Sequence, residues 1–473
     1  MMRIALFLMA ACSLGAQAEV TLPKIIGENM VLQRGRAVPI WGHAAPGETV
    51  TVRFAGQEKK ATADSSGNWR VELRPLTASS TPASMTISGS NAIVLNNVLV
   101  GEVWLGSGQS NMEYPMGGFP APERRAPTEP MWKEMAAANC PQLRLFKVEK
   151  VLSHPDVTSK GWQACDADTL RTFSAVAYYF GKELQHELDV PIGLIQSAWG
   201  GSRIEPWTPV SGYQAVPAFR EQTAKDPVLI DNMKPGAYFE SMVLPLAPFP
   251  IRGVIWYQGE SNCVLEDMAT YPEKMRALID SWRTTWSSPA LPFYYVQIAP
   301  YTYSARQVKH NPEVEPEFWE AQSRALQIPN TGMVVTTDLV TELNNIHPDN
   351  KWDVGHRLAL WALAKDYGRK DLVYSGPVFK SMKVKGGRAE LSFRYASDGL
   401  TSRDGKPLSD FTIAGEDGKF VAATATIQGK NVIVSSPEVA HPSAVRFAWT
   451  ETSMPNLANK AGLPAAPFRT DSR

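Results

Sequence analysis

The chain reads as an α/β protein, with a parallel sheet covered by helices on both faces and flanked by N- and C-terminal β-sandwich-like domains. Three observations predict this. At 473 residues and 44% hydrophobic, the chain exceeds what one core usually organises, so two or three domains are expected. Both ends carry short β-type runs punctuated by glycine, proline and serine. Between them, continuous apolar strands alternate with segments whose apolar residues recur every three or four positions, the mark of βαβ units. The division that follows is a signal peptide over 1–18, an N-terminal β-domain over 19–98, an α/β domain over 99–373 and a C-terminal β-domain over 374–473.

Met1, Met2 and Arg3 precede the apolar run Ile4–Leu14, and Ala16-Gln17-Ala18 offers small residues to signal peptidase before Glu19. A mature chain starting at Glu19 and a periplasmic or secreted protein are expected. Cys12 after Met9-Ala10-Ala11 only faintly resembles a lipoprotein site, and Ala-Gln-Ala is better placed. No later apolar run reaches the roughly 20 residues that span a bilayer, so no membrane association is expected once the signal is removed. Cys140, Cys165 and Cys263 remain, an odd number without metal-ligand spacing; a Cys140–Cys165 bridge would leave Cys263 free.

The first β-domain rests on Val38–Gly42, Val50–Phe54, Trp69–Leu73 and Ser84–Ser88. The central strands are Val98–Gly106, Val190–Ala198, Gly253–Gln258, Phe293–Ile298 and Met333–Asp338. Phe173, Val176, Phe180, Leu184 and Leu188 mark one helical face; Met275, Leu278, Ile279, Trp282 and Trp286 mark a second. Leu358, Trp361 and Ala362 belong to a last helix after Asn350, and Met382–Val384, Ala389–Phe393 and Ala444–Trp449 open and close the second β-domain. Parallel sheets of this kind place ligands at the carboxyl ends of their strands.

Lysine plus arginine equals aspartate plus glutamate, 47 each, so no net field draws the chain to nucleic acid or anionic lipid. The 14 tryptophans suit the apolar faces of sugar rings, although core packing absorbs most tryptophans in most proteins.

Four clusters follow predicted strands. In Gly106-Ser107-Gly108-Gln109-Ser110-Asn111-Met112, a serine opening a helix after a tight turn can attack a carbonyl while its own N–H faces the developing oxyanion. The alternative is a polar turn that caps a helix. No lysine follows as a phosphate loop requires, and Met112 stands where a lipase-type elbow needs glycine. In Trp199-Gly200-Gly201, paired glycines let a backbone N–H approach a ligand, which suits Gly201 as an oxyanion donor as well as it suits a plain strand-to-helix turn. In Gln258-Gly259-Glu260-Ser261-Asn262, an amide can donate to the same oxygen, Gln258 first and Asn262 second, and Glu260 can hold neighbouring groups; a self-satisfied loop is the alternative. The last cluster holds His347. Of seven histidines, His43 and His441 lie in the β-domains, His154 and His310 in connections, and His186 and His356 in helices. His347 alone follows a sheet strand, and imidazole has the pKa to take a serine proton near neutrality.

Together these residues resemble the SGNH (GDSL-like) hydrolases and, more narrowly, the sialate O-acetylesterase family with its relatives that deacetylate polysaccharides such as xyloglucan. The resemblance covers nearly the whole mature chain: Met30-Val31-Leu32-Gln33-Arg34, Pro39-Ile40-Trp41-Gly42, Gly101-Glu102-Val103-Trp104, Gly108-Gln109-Ser110-Asn111-Met112, Phe173–Tyr178, Trp199-Gly200-Gly201, Trp256–Asn262 and Ile346-His347-Pro348, in the family's order. It implies an SGNH (flavodoxin-like) sheet and hydrolysis of acetyl esters on an acetylated glycan through an acetyl-serine intermediate, with no cofactor and no metal. Ser110 is then the nucleophile and His347 the base, with Ser110 N–H, Gly201 N–H and the Gln258 side chain as oxyanion donors. Many members carry aspartate three residues before the histidine; Asn344 stands there, leaving Asp338 or a backbone carbonyl to orient His347. The segment between Gly201 and Gly253 is compact beside longer members. The sequence does not choose between sialic acid, xyloglucan and xylan, and Arg203, which would suit a sialate carboxylate, sits in a turn where structural arginines are common. It does not set the oligomeric state.

Two other classes remain open. Glu205 and Glu260 both follow strands near tryptophans, as the carboxylate pair of a glycosidase would. A non-catalytic sugar-binding protein would leave Ser110 and His347 apart.

Overall fold

The computed structural model describes residues 19–119, 126–152, 155–306 and 311–471; the predicted signal peptide, His154 and His310 lie outside them. Seven strands form the central sheet: β1 (Ala92–Gly108), β2 (Asn139–Val148), β3 (Ser159–Asp166), β4 (Ile192–Ala198), β5 (Gly253–Tyr257), β6 (Phe293–Val296) and β7 (Thr331–Val334). Their order is β7-β6-β5-β1-β4-β2-β3. All neighbours run parallel except the antiparallel β2–β3 pair.

Strands β4, β5 and β6 are buried at every position, as a sheet covered on both faces requires. Alternation along them sorts side chains to two cores. Trp256, Phe293 and Tyr295 pack with Met275, Ile279 and Trp282 of the helix Tyr271–Thr285. Ile255, Tyr257 and Tyr294 pack on the other face with Val176, Phe180 and Leu184 of Ala175–Leu188 and with Leu358 and Trp361 of Trp352–Asp366. The last two helices touch backbone to backbone: a Cβ on Gly355 would stand 2.8 Å from Phe180 N and 2.9 Å from Val176 O, so only glycine permits the approach.

β1 is 17 residues long. Its first half pairs with Ser79–Ser88 and Val31–Gln33 in the N-terminal β-domain, and its second half runs through Val98 into the central sheet. In that β-domain, Thr49–Phe54 and Asn68–Leu73 alternate buried and solvent-facing residues, as one-sided sheets do. The C-terminal domain has two four-stranded sheets around Leu391, Ile413, Val432 and Phe447. It docks through Arg446–Glu313 at 2.8 Å, Arg469–Glu320 at 2.9 Å, and Glu451 accepting from Ser304 N at 2.8 Å.

Two features depart from the sequence reading. The β2–β3 pair was not expected; Pro141 and two register shifts interrupt the alternation that would mark it. The final strand ends at Val334, so Asp338 belongs to the loop beyond it. Cys140 and Cys165 sit opposite each other in the β2–β3 register as free thiols, and Cys263 is a buried free thiol. Among the described residues, no helix is long and apolar enough to cross a membrane.

Candidate active site

The carboxyl ends of β1, β4 and β5 and the loop after β7 open on one cavity of about 840 Å³, lined in part by Gln109, Ser110, Gly200, Gly201, Glu260 and His347. Ser110 starts a short helix immediately beyond β1. The turn that presents it depends on Gly108, whose φ is +135° and whose added Cβ would stand 2.1 Å from Tyr257 O on β5.

Ser110 Oγ lies 2.8 Å from His347 Nε2. This is the hydrogen bond a nucleophile and its base require, and it joins residues 237 apart in sequence. A binding protein without catalysis would have had no reason to bring them together. The histidine loop is pinned from several sides. His347 N–H donates to Asn345 Oδ1 at 2.9 Å, and the imidazole packs against Phe119 with ring centres 5.0 Å apart. Asn111, the residue after Ser110, donates to Ile346 O at 3.0 Å and to Glu260 Oε1. Its own carbonyl oxygen accepts from Lys351 Nζ at 2.6 Å. The Lys351 ammonium is fully buried, 4.7 Å from the Tyr114 ring centre and 5.6 Å from that of Tyr257. Burial pushes the Glu260 carboxyl above its ordinary pKa, while the Asn111 hydrogen bond and the charge of Lys351 pull it back down.

Of the three expected donors, Ser110 and Gly201 line the cavity and Gln258 does not. Ser110 N–H is the first of its helix and has no intrahelical acceptor. Gly200 N–H is occupied, donating to Glu113 Oε2 at 2.6 Å, and Lys150 holds the other oxygen of Glu113 at 2.6 Å. Gly201 follows in the left-handed region at φ +72°, with open space where a Cβ would be. Gln258, by contrast, is sealed inside. Its NH₂ reaches three acceptors, Gln109 Oε1 at 3.1 Å, Ser202 O at 3.2 Å and Asn262 Oδ1 at 2.7 Å, and its oxygen accepts from Tyr271 at 2.9 Å. The cavity is lined instead by Gln109, whose oxygen accepts from Gln258, Gly259 N and Ser261 N. With the oxygen committed to those three, the Gln109 NH₂ is the end left for the cavity.

Three further expectations are corrected. Asn262 does not line the cavity: it donates to Asp267 at 2.8 Å and accepts from Ile204 N at 3.1 Å. Asp338 does not orient His347, because Arg357 takes both its oxygens at 2.7 and 2.6 Å and Arg403 stands 3.4 Å away. Glu205 cannot pair with Glu260 as a glycosidase would need. It is fully buried against Arg203 at 2.5 Å and Lys274 at 2.7 Å. Glu205, Asp231 and Asp267 lie close enough to share a cation, and Lys274 Nζ already contacts all three.

A parallel sheet of this order, with a serine and a histidine meeting at its carboxyl edge, defines an esterase of the SGNH-like fold class. Residues 100–364 match the family described as carbohydrate esterase, sialic acid-specific acetylesterase, and the chain belongs to that family. Its structure is similar to that of a carbohydrate acetylesterase from Xanthomonas citri, at 38% identity and a TM-score of 0.86 over 96% of this chain and 100% of the other. Sialate O-acetylesterase of Homo sapiens is 28% identical over 483 residues, covering 94% of this chain and 91% of its own. That of Rattus norvegicus is 29% identical over 535 residues, covering 98% and 96%. The chain is thus a carbohydrate O-acetylesterase.

Proposed function

We propose that Ser110 and His347 remove acetyl groups from an acetylated glycan through an acetyl-serine intermediate. The observation that carries this reading is the 2.8 Å contact between His347 Nε2 and Ser110 Oγ, at the wall of a cavity large enough for a sugar. Ser110 Oγ attacks the acetyl carbonyl carbon as its proton passes to His347 Nε2. The oxyanion lies toward Ser110 N–H, Gly201 N–H and the Gln109 NH₂, and it collapses with cleavage of the ester C–O bond. His347 gives its proton to the departing sugar oxygen. Water then surrenders a proton to His347 and attacks acetyl-Ser110, releasing acetate and restoring the serine. We place Gln109 in the role the sequence assigned to Gln258, since an oxyanion donor has to reach the reacting oxygen.

The Ala16-Gln17-Ala18 site supports export as part of the same proposal, with a periplasmic or extracellular glycan as substrate. Acetate release from 4-nitrophenyl acetate and from acetylated sialosides, xyloglucan and xylan oligosaccharides tests the reading. Ser110→Ala is expected to abolish it on every substrate; equal rates for the two proteins would make Ser110 structural.

A further inference from the structure

A second hollow of about 400 Å³ adjoins the catalytic cavity, and the two share Gly201, Ser261, Val264 and Arg306. It therefore begins at the proposed oxyanion glycine. Gly200, one residue earlier, abuts the nucleophile: a Cβ there would stand 3.3 Å from Ser110 Cβ.

The walls of the hollow have two chemistries. One is apolar: Tyr238, Met233 and Leu265 line it, and Leu265 is 55% exposed. Tyr238 is held in place by stacking on Trp199, with centres 4.7 Å apart and planes 8° from parallel, and by an edge contact to Trp207 at 5.1 Å. The other is a set of hydrogen-bond donors. Arg306 spends its Nε on Tyr301 Oη at 2.7 Å, with its guanidinium 5.0 Å from the centre of that ring, and its two terminal nitrogens have no hydrogen-bond partner among the described residues. Arg203, deeper in the wall, is neutralised by Glu205 at 2.5 Å, so the hollow does not call for an acid. An aromatic face beside fixed N–H donors is the surface a pyranose ring fits, with its C–H face on the tyrosine and its hydroxyls on the guanidinium.

An acetylated sugar ring seated at Ser110 lies within the catalytic cavity and leaves this adjoining hollow vacant. We propose that the hollow binds the ring next to the acetylated one, so that the enzyme prefers an acetylated oligosaccharide to the same ester on a single sugar. The proposal rests on the reading that the acetyl group is delivered to Ser110. Continuity with the catalytic cavity singles out a neighbouring ring of the same chain as the occupant.

The test compares kcat/KM for mono-O-acetylated xylose with that for mono-O-acetylated xylotriose, and for O-acetylated sialic acid with sialyllactose carrying the same ester. At least one pair is expected to favour the oligosaccharide by about tenfold or more, chiefly through KM. Leu265→Asp, at an exposed position where folding is not at stake, and Tyr238→Ala are each expected to cut that ratio about fivefold or more. Equal kcat/KM within both pairs, or a ratio that neither variant alters, overturns the subsite. Hydrolysis of 4-nitrophenyl acetate by the parent separates the two failures: its presence leaves the Ser110 reading standing while the subsite falls, and its absence together with silence on all four sugars overturns both.

Discussion

Two buried networks in this molecule use the same three residue types with opposite results. Glu260, Asn111 and Lys351 stand beside Ser110, while Glu205, Asn262 and Lys274 stand behind it. In the second, the ammonium touches Glu205, Asp231 and Asp267 directly, and those carboxylates hold its pKa above the ordinary lysine value despite burial. In the first, an amide separates the charges, Glu260 Oε2 has no hydrogen-bond partner among the described residues, and the carboxyl is pushed up. Direct contact makes a closed scaffold. Separation by an amide orders two loops around a cavity and leaves an acceptor unspent.

The comparison can be broken most forcefully at the reacting pair. Ser110→Ala and His347→Ala are each expected to lower kcat by on the order of 10⁴-fold or more, and the double variant by little beyond either alone, because the two act as a unit. Additive losses in steady-state kinetics would show that they act separately. Gln109→Ala is expected to cost about 10²-fold in kcat with a smaller change in KM, the signature of a donor used in the transition state. Gln258→Ala should instead lower the unfolding temperature, since it leaves buried acceptors unpaired.

The two lysines sharpen the contrast. Lys274→Met leaves three carboxylates without their cation and is expected to cost about 3–5 kcal/mol of stability, read by denaturant unfolding. Lys351→Met is expected to lower kcat by about tenfold with KM nearly constant, because Asn111 is no longer held against Ile346 O. If Lys351 positions His347 through this relay, replacing Glu260 by Gln in the same chain returns part of the lost rate by removing the charge left unbalanced. A double variant no faster than Lys351→Met would reduce Lys351 to packing.

The smallest effect concerns Glu315. It is fully buried, its Oε2 accepts from Tyr301 N at 3.0 Å, and its carboxyl is raised well above 4.5, first by burial and then by Glu451 and Glu260. A raised carboxyl stabilises the fold below its unfolded pKa, and that contribution is lost as pH rises toward the folded value. Glu315→Gln should therefore gain in unfolding temperature over the parent as pH climbs from about 5 to about 8. A gap that stays constant with pH would refute the assignment.

That Ser110, His347 and Gly201 meet at one cavity was legible in the sequence, because the clusters that carry them follow strands and the sheet rule brings strand ends together. Which amide faces the cavity was not legible. Gln109 and Gln258 both follow strands, and only the β1–β5 register, with Tyr257 opposite Gly108, turns one toward the cavity and seals the other behind it. Asp338 looked free because its partner, Arg357, lies 19 residues on, on a helix face that sequence periodicity marks only for its apolar members. Lys351 gave no signal at all, since a lysine in a polar loop reads as solvated until Tyr114 and Tyr257 are seen to enclose it. The β2–β3 pair was hidden by Pro141 and its register shifts, which erase the period-two pattern.

The long strand β1 makes the two β-domains unequal as parts. The C-terminal one is fastened by side-chain contacts, ion pairs such as Arg446–Glu313 and Arg469–Glu320 and the packing of Tyr374 and Tyr395 on Trp361. The N-terminal one shares a continuous backbone ladder with the middle of the catalytic sheet, ending two residues before Ser110. Fraying that begins at Ser79–Ser88 has a direct mechanical route along this strand to Ser110, so the N-terminal module acts as a clamp on the strand that presents that serine.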